Sequence, residues 1–221
     1  GTLLFDLLTT YEARERQRVF DVELLGTRLS AVTHWLRRQP ETQGLPIGYL
    51  GASTGAAAAL WAADSLMEQG KIDRALILSP LSTLERVWKN DIFDVLMHRK
   101  AVVVHGSRSQ RMEALSRDVD FYILNHDGLG IQEIADHIRR RPDINLVIVD
   151  EANAYKTVTT KRWKTLKSII NPQTHLWMMT GTPASQSPVD AYGLAKLVNP
   201  DGVPTFFTAW RDQVMNKLTM Y

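Results

Sequence analysis

The stretch Leu146-Val147-Ile148-Val149-Asp150-Glu151-Ala152-Asn153 is a short apolar run that ends in two acidic residues. Its four consecutive aliphatic side chains, three of them β-branched, are typical of a strand that is buried on both faces. In open α/β sheets, ligands bind beyond the carboxyl ends of the strands, where Asp150 and Glu151 are expected to lie. The stretch therefore predicts a covered parallel sheet with two carboxylates at its ligand-binding edge.

These two carboxylates suit phosphoryl transfer. An aspartate in this position can hold Mg²⁺, and the glutamate after it can orient or deprotonate a water molecule. The alternative is a strand followed by an acidic helix cap, which is a common arrangement. A second run, His175-Leu176-Trp177-Met178-Met179-Thr180-Gly181-Thr182-Pro183, weighs against this alternative because it also ends in small hydroxyl residues. We therefore interpret Asp150 as the candidate metal ligand and Glu151 as a candidate catalytic residue.

Composition restricts the class of protein. The chain has 221 residues, of which 44% are hydrophobic, and this is enough to bury a full core. It has no cysteine, which excludes a disulfide framework, a thiolate nucleophile and a cysteine zinc site. The net charge of +2 neither requires nor excludes a nucleic-acid partner. Because no apolar run reaches about 18 residues, we expect a soluble, cytoplasmic protein without a membrane partner. The oligomeric state is not indicated.

Positive charge is distributed unevenly along the chain. All nine lysines lie at or after Lys71, whereas the first seventy residues use only arginine. Such a shift can arise by chance, but it also fits two segments of different origin.

Periodicity predicts alternating strands and helices. Apolar residues spaced by three and four predict an amphipathic helix over 22–38, and an alanine-rich stretch predicts another over 56–69, ended by Gly70. Strands are predicted near 2–8, 46–51, 74–79, 101–105, 120–125, 145–150 and 175–180. We therefore expect a single α/β domain over 1–221, with three α/β/α layers around a mostly parallel sheet.

The loop Gly51-Ala52-Ser53-Thr54-Gly55 matches G-x-S-x-G, the nucleophile elbow, in which a sharp strand-to-helix turn presents a serine. Residues 3 to about 62 resemble the dienelactone-hydrolase-like branch of the α/β-hydrolases, chiefly through the phrase at 44–60. That resemblance implies Ser53 as the nucleophile of a serine esterase. No segment after residue 65 matches the acid and histidine of that family, and we interpret His105, His126 and His175 as structural.

The remainder of the chain carries an ordered series of other motifs. The segment 74–84, with Trp88 four residues on, resembles motif Ia of Swi/Snf-type translocases in helicase superfamily two, and 121–129 resembles the following strand and DNA-facing loop. The residues at 150–153 and 180–183 resemble motifs II and III. The likeness covers roughly 59–221, with phage-type helicases closest. It implies a P-loop NTPase (RecA-like) fold, ATP and Mg²⁺ as cofactors, and DNA as a weakly bound partner.

The resemblance also implies roles for single residues. Asp150 would contact Mg²⁺ and Glu151 would activate water. Asn153 stands where motif II usually has His or Asp. This departure concerns the coupling of the nucleotide to DNA rather than the binding of the metal. Thr180 and Thr182 would couple the nucleotide to DNA. The residues that would face the DNA backbone are Ser79, Pro80, Asn125 and Lys156. From charge alone, the basic residues after 155 instead indicate a solvated helix face.

The phosphate loop is the largest departure from that family. A functional loop reads G-x-x-x-x-G-K-[ST], whereas the equivalent strand-loop-helix here contains Gly51 to Ala58 and has no lysine. Backbone N–H groups at Gly51, Ser53, Thr54 and Gly55 could still attract a phosphate at a helix N-terminus. No stretch resembles a second RecA-like lobe.

These observations predict a chimera, with a hydrolase-like segment over 1–58 and a helicase-lobe-like segment over 59–221. Three hypotheses for function remain: a nucleotide-dependent DNA translocase lobe, a serine esterase, and a catalytically silent recombinant. The favoured hypothesis is a remnant of a DNA-dependent ATPase lobe that is catalytically inactive and retains weak binding of nucleotide and DNA.

Overall fold

The computed structural model describes residues 6–15, 18, 21–43, 55–184 and 186–218. The strand predicted over 46–51 lies outside these residues, as do Gly51, Ser53 and Thr54. Of the strand predicted over 2–8, only 6–8 are described, and these three residues form no strand.

A parallel sheet of five strands forms the centre of the described domain, in the order β2-β3-β1-β4-β5. The strands are β1 (Arg74–Ser79), β2 (Ala101–Val104), β3 (Phe121–Asn125), β4 (Ile144–Val149) and β5 (His175–Met178). All five agree with the predicted strands to within two residues at either end. The strand β4 ends at Val149, so Asp150 lies in the turn that follows it.

Helices cover both faces of this sheet, as predicted for a three-layer α/β/α fold. The helices are α1 (Val22–Leu36), α2 (Gly55–Glu68), α3 (Asn90–Val95), α4 (Arg108–Leu115), α5 (His126–Leu129), α6 (Gln132–Arg139), α7 (Lys161–Ile169), α8 (Tyr192–Val198) and α9 (Phe207–Leu218). Short 3₁₀ helices occur at Glu12–Arg14, Leu81–Thr83, Ala152–Tyr155 and Pro188–Ala191. A π-helix, Leu84–Lys89, continues directly into α3.

Two buried clusters, one on each face of the sheet, form the core. Alternate residues of the strands point to opposite faces, so one cluster contains Leu76, Tyr122, Leu124, Val147 and Val149. The other contains Ala75, Ile77, Ile123, Leu146 and Ile148, together with Trp88 and residues of α2. Burial on both faces explains why the strands read as continuous apolar runs.

The predicted helices over 22–38 and 56–69 are present as α1 and α2, and α1 ends two residues early. Gly70 follows α2 with a positive φ of 64°, the left-handed conformation that ends many helices and that glycine adopts without strain. Within the described residues no helix is both long and apolar enough to cross a membrane.

Candidate functional site

The parallel register places four predicted site residues at one edge of the sheet. Ser79 pairs with Asn125 at the carboxyl ends of β1 and β3. The N–H of Asp150 donates to the carbonyl of Leu78 at 2.8 Å, which ties the turn after β4 to β1. Thr180 follows β5, the other neighbour of β4. We call this the carboxyl edge.

The Asp150 carboxylate is held by hydrogen bonds at both of its oxygens. Trp88 donates its indole N–H to Oδ2 at 3.1 Å, and the N–H of Glu151 donates to Oδ1 at 2.9 Å. Only 1% of Trp88 is exposed, so water does not compete for this bond. The motif Ia resemblance includes Trp88, but nothing in the sequence indicates its contact with a residue 62 positions away.

Glu151 lies at the surface beside Asp150, in an unusual backbone conformation. Its φ of 48° places it in the left-handed region, which side chains with a Cβ rarely adopt. The N–H of the next residue, Ala152, donates to the carbonyl of Met179 at 2.8 Å and so fixes the turn to the residue after β5. The Glu151 side chain is therefore exposed at the carboxyl edge, where it can reach a water molecule.

Thr180 and Thr182 form a local turn after β5. The N–H of Thr182 donates to Oγ1 of Thr180 at 3.2 Å. Thr180 is buried and Thr182 is exposed. Of the two predicted coupling residues, only Thr182 therefore presents its side chain to solvent.

Ser79 and Asn125 differ from the expectation that they face a DNA backbone, because both are buried. The Ser79 hydroxyl donates to the carbonyl of Pro80 at 3.4 Å. Asn125 Oδ1 accepts from Arg111 Nη1 at 3.1 Å, and that same guanidinium group donates to the carbonyl of Val104. Arg111 therefore links the ends of β2 and β3 through Asn125, whereas the Ser79 hydroxyl bonds only to its neighbour in the chain.

The other two residues predicted to face DNA, Lys156 and Pro80, are more accessible than Ser79 and Asn125. Lys156 is exposed at the end of the 3₁₀ helix that follows Glu151, and Pro80 is partly buried. The turn Leu81–Thr83 exposes Leu81 and Ser82. Farther along α7, Lys161, Lys164 and Lys167 are exposed, as a solvated helix face predicts.

His126 is a buried histidine beside this edge. Its Nδ1 lies 3.1 Å from the hydroxyl of Tyr155, and the two rings meet edge to face. Burial, followed by the nearby charge of Arg162, lowers the pKa of His126 to about 4. The imidazole is therefore neutral and weakly basic at neutral pH, which agrees with a structural role and makes it a poor base for Ser53.

The other two histidines lie at opposite ends of their strands, and their predicted structural role stays a prediction. His105 is exposed just after β2, and His175 begins β5 at the amino end of the sheet. Burial lowers the pKa of His175.

Two groups of side chains in the described residues could be considered for a magnesium ion, and Asp150 with Glu151 fits it better than Asp64, Glu68 and His98 do. Asp150 and Glu151 both offer carboxylate oxygens at the carboxyl edge, the ligand type that Mg²⁺ prefers. Elsewhere, Asp64, Glu68 and His98 bring possible ligand atoms within 4.8 Å of one another. There, Arg99 Nε donates to the Asp64 carboxylate at 2.6 Å, so an ion pair already neutralises that carboxylate.

The fold and the carboxyl edge define a RecA-like α/β domain with an acidic pair after β4, next to the central strand β1. The model of the SNF2-related domain matches residues 14–219, and the chain belongs to that family. The match begins well before residue 59, where the helicase-like segment was expected to start.

Two solved structures from Sulfolobus solfataricus share this fold. The SWI2/SNF2 ATPase core in complex with dsDNA superposes with a TM-score of 0.68, and the SWI2/SNF2 ATPase core domain with 0.64. Each is 17% identical to this chain and covers 98% of it. The chain spans 42% of the length of either structure. At this identity the likeness shows the fold alone.

A short stretch has a different set of relatives. Over 63 residues the chain is 66% identical to putative phosphoribosyl transferases from two strains of Mycobacterium tuberculosis. The match covers 28% of this chain and only 14% of those proteins.

Proposed function

We propose that this chain is the first RecA-like lobe of a DNA-dependent ATPase of helicase superfamily two, and that by itself it is catalytically silent. The observation that carries the proposal is the placement of Asp150 and Glu151 together at the carboxyl edge, between strand ends that carry the other motifs. Membership of the SNF2-related family supports the ATPase class.

The proposed roles follow from charge and accessibility. Asp150 would hold Mg²⁺, and the exposed Glu151 would orient a water molecule. Bound Mg²⁺ supplies positive charge that offsets the charge of the phosphates during transfer. Thr182, with its N–H held by Thr180, would respond to the nucleotide on one side and to DNA on the other.

Phosphate binding is proposed for the segment that precedes α2 in the sequence. Gly51, Ser53 and Thr54 stand immediately before α2 (Gly55–Glu68) in the sequence, and we propose that they precede a helix N-terminus. Backbone N–H groups at such an end attract anions without any lysine. Weak binding of nucleotide or inorganic phosphate is therefore compatible with the sequence.

The proposed lack of ATP hydrolysis has two physical causes. The chain has no lysine before Lys71, so the loop lacks the cation that normally reaches the β- and γ-phosphates. In addition, arginines that stabilise the transition state come from the other lobe in this superfamily. Both groups act on charge that develops during the reaction, so their absence from the reacting complex lowers turnover more than ground-state binding.

Duplex DNA is the proposed partner. The exposed Lys156 and the turn Leu81–Thr83 lie after adjacent strands at the carboxyl edge and would contact phosphates. Lysine contacts to phosphate give sequence-independent binding that weakens as salt rises. A solved SWI2/SNF2 ATPase core with this fold carries dsDNA, which supports duplex as the form to test.

ATP hydrolysis with and without duplex DNA tests the proposal directly. We expect no DNA-stimulated hydrolysis above background and weak binding of a fluorescent nucleotide. The Glu151→Gln variant is the control, because it removes the proposed water-activating carboxylate and keeps its size. DNA-stimulated hydrolysis that disappears in this variant would contradict the silence and restore a working ATPase.

A serine esterase at Ser53 is the second candidate. Its support is that α2 directly follows the G-x-S-x-G sequence, because a nucleophile elbow requires a helix on its carboxyl side.

We also propose that the chain is a chimera of a hydrolase-like segment over 1–58 and a helicase-like segment over 59–221. The absence of lysine before Lys71 and the separate relatives of a 63-residue stretch support two origins.

A further inference from the structure

The Trp88 side chain joins the candidate metal ligand to a different part of the carboxyl edge. It reaches Asp150 Oδ2 from the helical segment that follows β1, whereas Asp150 follows β4. The indole ring lies in the core cluster that also contains Ile77 and Ile148, residues of those two strands. Its N–H is therefore fixed in direction by packing on both sides.

A short, continuous helical run connects Trp88 to the exposed turn Leu81–Thr83. The turn passes into the π-helix Leu84–Lys89 without an intervening loop, and the N–H of Asn90 donates to the carbonyl of Glu85, five residues earlier. Within this run Leu84 and Trp88 are the buried residues. A π-helical turn in a helix is uncommon and often marks a functional site.

We propose that Trp88 is a positioning residue, which fixes the plane of the Asp150 carboxylate and links it to contact between duplex DNA and the turn Leu81–Thr83. The inference rests on the proposed function, because it assigns Asp150 to the metal and the turn to DNA. Phosphates that displace the turn would move the helical run as one body, and the indole N–H would carry that displacement to the carboxylate.

The two hydrogen bonds on Asp150 explain why such a displacement matters. With Oδ1 held by the N–H of Glu151 and Oδ2 held by Trp88, the carboxylate plane has one favoured orientation. Each oxygen keeps a further lone pair that can face a cation. Removal of the indole N–H leaves one oxygen of this half-buried carboxylate without its fixed partner, so the carboxylate plane can turn. Loss of such a supporting bond typically weakens metal binding by about 10-fold or more.

The test uses the full chain and Mn²⁺, a paramagnetic ion that accepts the same oxygen ligands as Mg²⁺. The indole N–H resonances of ¹⁵N-labelled protein are recorded during a Mn²⁺ titration, and Trp88→Phe assigns the resonance of Trp88. The matched control is Trp163→Phe, since Trp163 also donates its indole N–H, but to the carbonyl of Gly193 at 2.9 Å. Asp150→Asn removes the proposed ligand.

We expect Mn²⁺ to broaden the Trp88 resonance first, and this selectivity to disappear in Asp150→Asn. Mn²⁺ affinity, measured by electron paramagnetic resonance, should fall about 10-fold in Trp88→Phe and remain unchanged in Trp163→Phe. Equal affinity in wild type and Trp88→Phe would overturn the inference and leave the proposed function intact. The absence of selective broadening in the wild type would overturn both.

The link to DNA is tested in the same spectra. Duplex DNA should shift the Trp88 indole resonance in the wild type, and a Ser82→Glu variant, which places a negative charge on the exposed turn, should reduce that shift. Fluorescence anisotropy of labelled duplex reports binding independently. Binding without any shift of the Trp88 resonance would overturn the link and leave DNA binding as proposed.

Discussion

Gly193 in α8 packs so closely on the main-chain carbonyl of Lys156 that a Cβ at position 193 would collide with that oxygen. The carbonyl of Gly193 also accepts the indole N–H of Trp163 at 2.9 Å. Gly193 therefore joins α8 to the end of the 3₁₀ helix that follows Glu151 through backbone contact, and to α7 through the Trp163 side chain. The backbone contact sets how closely α8 packs on that 3₁₀ helix.

Gly193→Ala should destabilise the protein by about 2 kcal/mol or more, because the clash is with backbone, which cannot move aside as a side chain does. The measurement is the midpoint of urea unfolding. Gly130→Ala is the control, since its Cβ would stand 3.1 Å from the nearest atom, the carbonyl oxygen of Asp127, and should cost less. Equal midpoints for the two variants would contradict the prediction.

The five strands could be predicted because each contains a run of three or more apolar residues, the pattern of a strand that is buried on both faces. The shared edge of Asp150 and Thr180 follows from parallel pairing alone. The end of α2 could be predicted as well, since glycine is the residue that most readily adopts a positive φ.

Contacts between distant segments could not be predicted. The bond from Trp88 to Asp150 depends on a π-helical register, which has no signature in the sequence. The positive φ of Glu151 could not be predicted, because residues other than glycine rarely adopt this conformation. Ser79 and Asn125 look like surface ligands by residue type, yet their positions on adjacent central strands bury them.

Glu151→Gly should stabilise the fold by about 0.5–1 kcal/mol. The left-handed conformation costs a residue with a Cβ about 1–2 kcal/mol, and the greater freedom of glycine in the unfolded chain offsets part of the gain. Glu151→Ala is the matched control, because it removes the carboxylate and keeps the Cβ. Unfolding midpoints that rise equally in both variants would show that loss of charge, rather than relief of strain, is responsible.

Burial of His126 should make stability depend on pH between about 4 and 6.5. Its folded-state pKa is lowered from 6.5 to about 4, so in this window the unfolded chain binds more protons than the folded one. The contribution is complete above pH 6.5 and is lost as the pH falls toward 4, by up to about 3 kcal/mol.

In the His126→Gln variant the unfolding free energy should vary less across that window, while the hydrogen bond to Tyr155 can still form. His105→Gln is the control, because His105 is exposed. Urea unfolding at several pH values measures the effect. An undiminished slope in His126→Gln would show that other groups carry the dependence, among them His137, whose pKa burial also lowers.

Ser53 should react slowly or not at all with a fluorophosphonate probe. A serine without a base is a poor nucleophile, and loss of triad partners costs several orders of magnitude in rate. His126 is an unsuitable base at neutral pH, being buried and bonded to Tyr155. Rapid stoichiometric labelling that is abolished in Ser53→Ala would favour the esterase over the ATPase lobe.

Binding of duplex DNA should weaken steeply as salt rises, because it depends on phosphate contacts. The logarithm of the binding constant falls with the logarithm of salt concentration by about 0.9 for each phosphate neutralised. Lys156→Ala should therefore reduce the slope by about one and weaken binding to different sequences equally.

Lys71→Ala is the matched control, since Lys71 is exposed but precedes β1 at the opposite edge of the sheet. Fluorescence anisotropy over a range of salt concentrations measures both variants. An unchanged slope in Lys156→Ala would remove Lys156 from the DNA interface, and no binding at low salt would remove DNA as the partner.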